Sequence, residues 1–175
     1  RGLFARFQAA VDDGDTDTMA ALGATIAEEL HVHTTIEEEV FYPAVRGTDE
    51  EISSTVDEGL EEHHVVDVLL DEIAELEPGS DQWIAKMTVV IENVEHHAGE
   101  EEEELFPPLR NELGADRLES LGDELDAKKA ELGAPTLADK IDLTLDELHQ
   151  MASHQEIPGR STMDHDELAA TVAPE

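Results

Sequence analysis

Apolar residues recur along the chain at three- and four-residue steps, and period-two alternation rich in β-branched residues is nowhere sustained, so the expected fold class is all-α. Turn-forming residues cut this pattern into segments. A first helix is expected over 2–13, stopped by Asp12-Asp13-Gly14-Asp15, and a second over 16–45, opened by Thr16 and Asp17 and closed by Pro43 and Gly47. A third covers 49–77 and ends at Pro78-Gly79. Ser80 and Asp81 can cap a fourth that reaches Pro107-Pro108, where two prolines should kink or break it, and a shorter helix over 115–132 follows. Long helices with short connections make an up-down four-helix bundle over 1–132 the economical architecture. After Gly133-Ala134-Pro135, residues 136–175 carry two short helical patterns, 142–154 and 164–172, expected to pack on themselves or on the bundle.

Within this pattern His33-Thr-Thr-Ile-Glu37-Glu-Glu-Val-Phe41-Tyr42-Pro43 aligns without a gap on His97-Ala-Gly-Glu-Glu101-Glu-Glu-Glu-Leu105-Phe106-Pro107, at an offset of 64. Both begin HxxxE. Four residues are a little over one helical turn, so each His and its Glu share a face and can converge on one centre. The apolar stripe Trp83, Met87, Val90, Val94 continues into His97 and Glu101, and Leu22, Ile26, Leu30 leads to His33 and Glu37. On the third helix His63 is followed by Val66, Leu70 and Ile73. Three histidines and two glutamates are therefore expected to point inward, and His31 and His64 outward. One inward histidine is most simply a hydrogen-bonded core residue, but a buried unpaired Glu costs several kcal/mol unless neutralised or bound to a cation, and two such residues point to a metal.

Composition narrows which metal chemistry is available. The 175 residues include no Cys, which removes thiolate-ligated zinc, iron–sulfur clusters, disulfides and thiol nucleophiles, leaving His and carboxylate as ligands. These ligand types suit iron or manganese. Against 10 Lys+Arg stand 45 Asp+Glu, a formal charge of −35, which argues against nucleic acid as a partner. The acid excess is like that of surfaces adapted to high salt, and equally fits an ordinary acidic protein. No apolar run approaches the roughly 20 residues of a membrane span and no signal peptide is visible, so the expectation is a soluble, cytoplasmic protein.

Residues 1–132 resemble the hemerythrin-like family of His-His-Glu cation-binding domains through Leu3-Phe4 with Phe7, His33 to Pro43, Glu62-His63, and His97 to Pro107. The resemblance implies a bundle holding two non-haem irons, replaceable by manganese or zinc, with an oxo or hydroxo bridge. It implies Glu37 and Glu101 as bridging carboxylates and His33, His63 and His97 as terminal ligands. The family's first-helix His would fall upstream of Arg1. Oxygen-carrying members have a second third-helix His where this chain has Asp67, which argues against simple reversible oxygen carriage. Residues 145–168 resemble the small helix–loop–helix of Rho termination factor N-terminal domains, but with Arg160 as the loop's one basic residue and His165 where Lys is common. A packing role, or contact with a protein partner or second copy, is expected there, with His149, His154 and His165 as surface residues.

The leading functional expectation is a di-iron protein that binds or reacts with O₂, nitric oxide or peroxide, for sensing, scavenging or iron handling. Enzymatic turnover of peroxide or nitric oxide would use the same residues. Two alternatives stay open: a ferritin-like carboxylate oxidase using the ExxH pairs Glu28/His31 and Glu61/His64, and a metal-free acidic interaction bundle.

Overall fold

The computed structural model describes residues 2–134, which form an all-α bundle. The elements are α1 (Gly2–Asp13), α2 (Thr16–Ile36), a π-helical turn (Glu37–Phe41), α3 (Tyr42–Val45), α4 (Glu50–Ala74), α5 (Asp81–Glu100), a second π-helical turn (Glu101–Leu105) and α6 (Phe106–Glu131). The two short-helix patterns expected over 142–154 and 164–172 lie outside the described residues.

Side-chain caps set the helix starts. Asp15, rather than the expected Thr16 or Asp17, caps α2 by accepting from the Thr18 amide at 3.1 Å. Asp49 caps α4 through the Glu51 amide at 2.8 Å, and Ser80 caps α5 through the Trp83 amide, as its sequence position suggests.

The expected second helix is interrupted, and so is the fourth, at equivalent points of the repeat. In each, the helix widens to a π turn just where the HxxxE glutamate sits: the Tyr42 amide bonds back to the Glu37 carbonyl and the Phe106 amide to that of Glu101. A proline follows each wide turn, Pro43 or Pro107. A proline ring clashes with the carbonyl four residues back in a regular helix, and the carbonyls at risk, Glu39 and Glu103, belong to the π turns. Pro107-Pro108 therefore does not break the helix. The break falls instead at Gly114, whose φ of 72° and ψ of 164° turn the chain back on itself.

Two apolar clusters result. The first gathers Phe7, Met19, Leu22, Ile26, Leu30, Val66, Ile73, Trp83, Met87 and Val90. The second gathers Phe41, Tyr42, Val45, Ile52, Val56, Leu105, Leu109 and Leu121. Along α2, α4 and α5 the residues between them are His33 and Glu37, His63, and His97 and Glu101, so a polar layer separates two apolar ones. α1 belongs to the first cluster through Phe7 and Ala10, with Leu3 and Phe4 packed alongside.

Candidate metal centre

The five inward-facing residues occupy this middle layer. Glu37, His63, His97 and Glu101 are each less than a tenth exposed, while the His33 side chain is 33% exposed and forms the outer edge. His33, Glu37, His63 and His97 each present one ligand atom within 4.8 Å of the others, an arrangement that could hold a metal ion. Glu101 adjoins them, with Oε2 3.8 Å from His97 Nε2.

Glu37 Oε2 lies 3.2 Å from His63 Nε2, 3.3 Å from His33 Nε2 and 3.9 Å from His97 Nε2. It is nevertheless a buried oxygen without a properly directed hydrogen bond. His63 and His97 meet with their Nε2 atoms 3.1 Å apart. Their outer nitrogens are taken: His63 Nδ1 lies 3.0 Å from Glu38 Oε1, and His97 Nδ1 lies 2.7 Å from Glu62 Oε2. An ionised carboxylate only accepts, so each Nδ1–H donates, and in a neutral ring Nε2 is left with a lone pair. Two lone pairs converging with an orphaned carboxylate oxygen repel one another until something positive sits among them. The donor set and its geometry thus fit a cation.

Protonation follows the same logic in the metal-free chain. Burial opposes charging His97, but Glu37, Glu101 and Glu62 outweigh it and raise the imidazole to about 9. Burial would likewise raise Glu37, yet the imidazoles of His63, His97 and His33 hold it down at about 2. Glu101, buried and facing the Glu37 charge, is pushed up to about 7. Desolvation lowers His33.

Tyr42 closes the inner end of the layer. Its phenol donates to Glu101 Oε1 at 3.1 Å and stands 3.4 and 3.5 Å from the Nε2 atoms of His97 and His63. Gly59 on α4 makes room for it: a Cβ there would meet the Tyr42 hydroxyl at 2.8 Å and His97 Cε1 at 3.1 Å. Sequence reasoning missed Tyr42, Glu38 and Glu62. Tyr42 reads as part of a hydrophobic turn beside a proline, and Glu38 lies within a run of glutamates; Glu62, beside His63 in the matching pattern, carries no role there.

The residues expected to face away do so. His31, His64 and His96 are exposed, as are Glu28 and Glu61, so neither ExxH pair reaches the centre and the ferritin-like alternative loses its ligands. Asp67 is exposed and lines an open groove with His31 and Asp71, away from the polar layer. A further group, Glu62, His96 and Glu100, has ligand atoms within 4.8 Å, but Glu62 is engaged by His97 and His96 is solvated.

The chain matches the hemerythrin HHE cation-binding domain over residues 1–109. It belongs to this family. The match gives no support to the Rho-like resemblance of the tail, which lies outside the described residues. A DNA nickase of Nostoc sp. (strain PCC 7120 / SAG 25.82 / UTEX 2576) is 29% identical over 107 residues, covering 61% of this chain and 30% of that protein, so the chain spans about a third of its relative's length. No solved structure matches. Among the described residues, no helix is long and apolar enough to cross a membrane.

Proposed function

We propose that this hemerythrin-type bundle is a non-haem di-iron protein whose centre binds or reacts with O₂, nitric oxide or peroxide. The observation that carries this reading is the buried Glu37 Oε2, which three imidazole nitrogens surround at 3.2 to 3.9 Å without a directed hydrogen bond to any of them. Glu37 and Glu101 would bridge two metals, and His33, His63 and His97 would complete their shells. Iron held by these residues would supply redox chemistry and Lewis acidity toward a small ligand.

The residues around the centre divide the remaining work. Glu38 and Glu62 fix the tautomers of His63 and His97, so that both present Nε2 inward. The Tyr42 phenol donates its one O–H to Glu101 and so holds that carboxylate in place. Between α2, α4 and α5 a partly open cavity of about 10 Å³, bordered by Leu30, Val66 and Val94 beside the imidazoles, is about the size of a single water.

DNA cleavage does not transfer from the cyanobacterial relative. A chain of net charge −35 repels phosphate, and most of that relative's length has no counterpart in the match.

Iron content of the purified chain tests the proposal: two irons per chain are expected, and Glu37→Ala combined with Glu101→Ala should abolish binding. Undiminished iron in that double variant overturns it. A metal-free wild type that takes up neither iron nor manganese would instead favour the acidic interaction bundle.

A further inference from the structure

The fourth position of the bundle is shared between two segments. α1 is 12 residues long and runs alongside the first apolar cluster, whereas the path from Thr16 to Val45 that it partners spans 30 residues. At about 1.5 Å per residue, α1 covers about 18 Å of a path of about 45 Å. The second apolar cluster is covered instead by the part of α6 beyond the Gly114 turn. Leu121 is 2% exposed within that cluster, and Leu113 and Leu125 pack against it.

Beyond Gly114, Leu118, Leu121, Leu125, Lys128 and Leu132 step by three and four along one face and are all buried or half-buried, with Arg117, Asp126 and Lys129 half-buried at its margins. That face runs from the second cluster back toward the metal layer. At its end Lys128 Nζ pairs with Glu39 Oε2 at 2.7 Å, although Lys128 is only 18% exposed, so its stem lies against the π turn that carries Glu37. Lys129 stands close enough for its charge to reach His33. His33 is the exposed edge of the layer, on the side that α1 does not cover.

We propose that residues 115–131 act as a strap beside the His33 edge of the metal centre, narrowing it to one-third exposure when docked, anchored by Leu121, locked by the Lys128–Glu39 pair and hinged at Gly114. Docked, the strap supplies the wall that α1 lacks at this level. Undocked, it exposes His33 and the π turn, opening a route for metal and ligands that avoids the apolar clusters. Gly114 suits a hinge: its positive φ fixes the reversal and no atom lies within 4 Å of where a Cβ would stand.

The inference rests on the metal reading, but its test need not. In the metal-free chain, the rate at which diethyl pyrocarbonate modifies His33 can be compared with that of exposed His31, the internal reference. Lys128→Glu should raise the His33 rate roughly two- to fivefold, the scale of losing one surface ion pair, and leave His31 unchanged. Adding Glu39→Lys should restore the slow rate. Leu121→Asn should bring the His33 rate close to that of His31, and iron extraction by a chelator from the loaded protein should accelerate in the same order. If Leu121→Asn unfolds the second cluster, the Lys128/Glu39 charge exchange decides alone. An unchanged His33 rate in Lys128→Glu, or failure of Glu39→Lys to reverse a change, overturns the strap. Absence of bound metal in wild type would overturn the metal centre and leave the modification rates to judge the strap.

Discussion

His63 and His97 approach each other to 3.1 Å through Nε2, and each commits its opposite nitrogen to a glutamate from another helix, Glu38 to His63 and Glu62 to His97. The contact is crossed: Glu62 is the neighbour of His63 in sequence but serves His97, so α4 supplies one inward imidazole and the support for the other. Replacing either carboxylate by an amide removes an anionic acceptor without changing shape. Glu38→Gln and Glu62→Gln are each expected to weaken metal affinity about 10- to 100-fold, measured by chelator competition. Unchanged affinity in both would mean that the imidazoles are oriented by packing alone.

A second expectation separates inward from outward histidines. His63→Ala and His97→Ala should lower metal occupancy, since both side chains are buried at the polar layer. His31→Ala, His64→Ala and His96→Ala should leave it intact, because all three are exposed. Metal analysis of the five variants checks the assignment, and dependence on His64 in place of His63 would require α4 to be rotated.

The positions of these residues were largely legible because helical periodicity ties each of them to an apolar stripe. His33 follows Leu30, His97 follows Val90 and Val94, and His63 precedes Val66; burial on such a stripe is a local property that three- and four-residue spacing encodes. The π turns were not legible. They answer a conflict between an inward-facing glutamate and a proline six residues later, and spacing read at a uniform helical pitch cannot register the extra residue. Nor could the strap be foreseen. A helix after Gly114 was expected, but which side of the bundle lay open to receive it depends on how α1 and α2 pair.

Gly59 supplies a prediction of unusual sign. In an open helix interior Gly→Ala stabilises by about 1 kcal/mol. Here the new methyl would press on the Tyr42 hydroxyl and on His97, both buried. Overpacking of this kind costs about 1–3 kcal/mol. Gly59→Ala is therefore expected to lower the denaturation midpoint and to weaken metal binding together. Gly122→Ala, with open space at its Cβ position, serves as the control and should be neutral or mildly stabilising.

The last prediction is a reversal of pH dependence on metal binding. In the metal-free chain, Glu101 at about 7 and His97 at about 9 both titrate above their ordinary values of 4.5 and 6.5. Through these two groups the folded state holds more protons than the unfolded state from about pH 4.5 to 9, so their contribution to stability falls as pH rises through that window, while buried His33, its imidazole lowered, acts in the opposite sense below 6.5. Glu37, held at about 2, acts in the opposite sense at lower pH: its contribution is present above 4.5 and is lost as pH falls toward 2. The joint contribution of Glu37, Glu101 and His97 should accordingly peak near pH 4.5. A bound cation requires these same ligands deprotonated, so metal affinity, and the stability it adds, should rise with pH over the window in which the metal-free chain weakens. Thermal denaturation of both forms from pH 4.5 to 9 measures the two slopes. Glu101→Gln should flatten the metal-free decline between 4.5 and 7, where repulsion among the many surface carboxylates would leave it unchanged. A decline of equal steepness in that variant would assign the pH dependence to the surface and not to the buried layer.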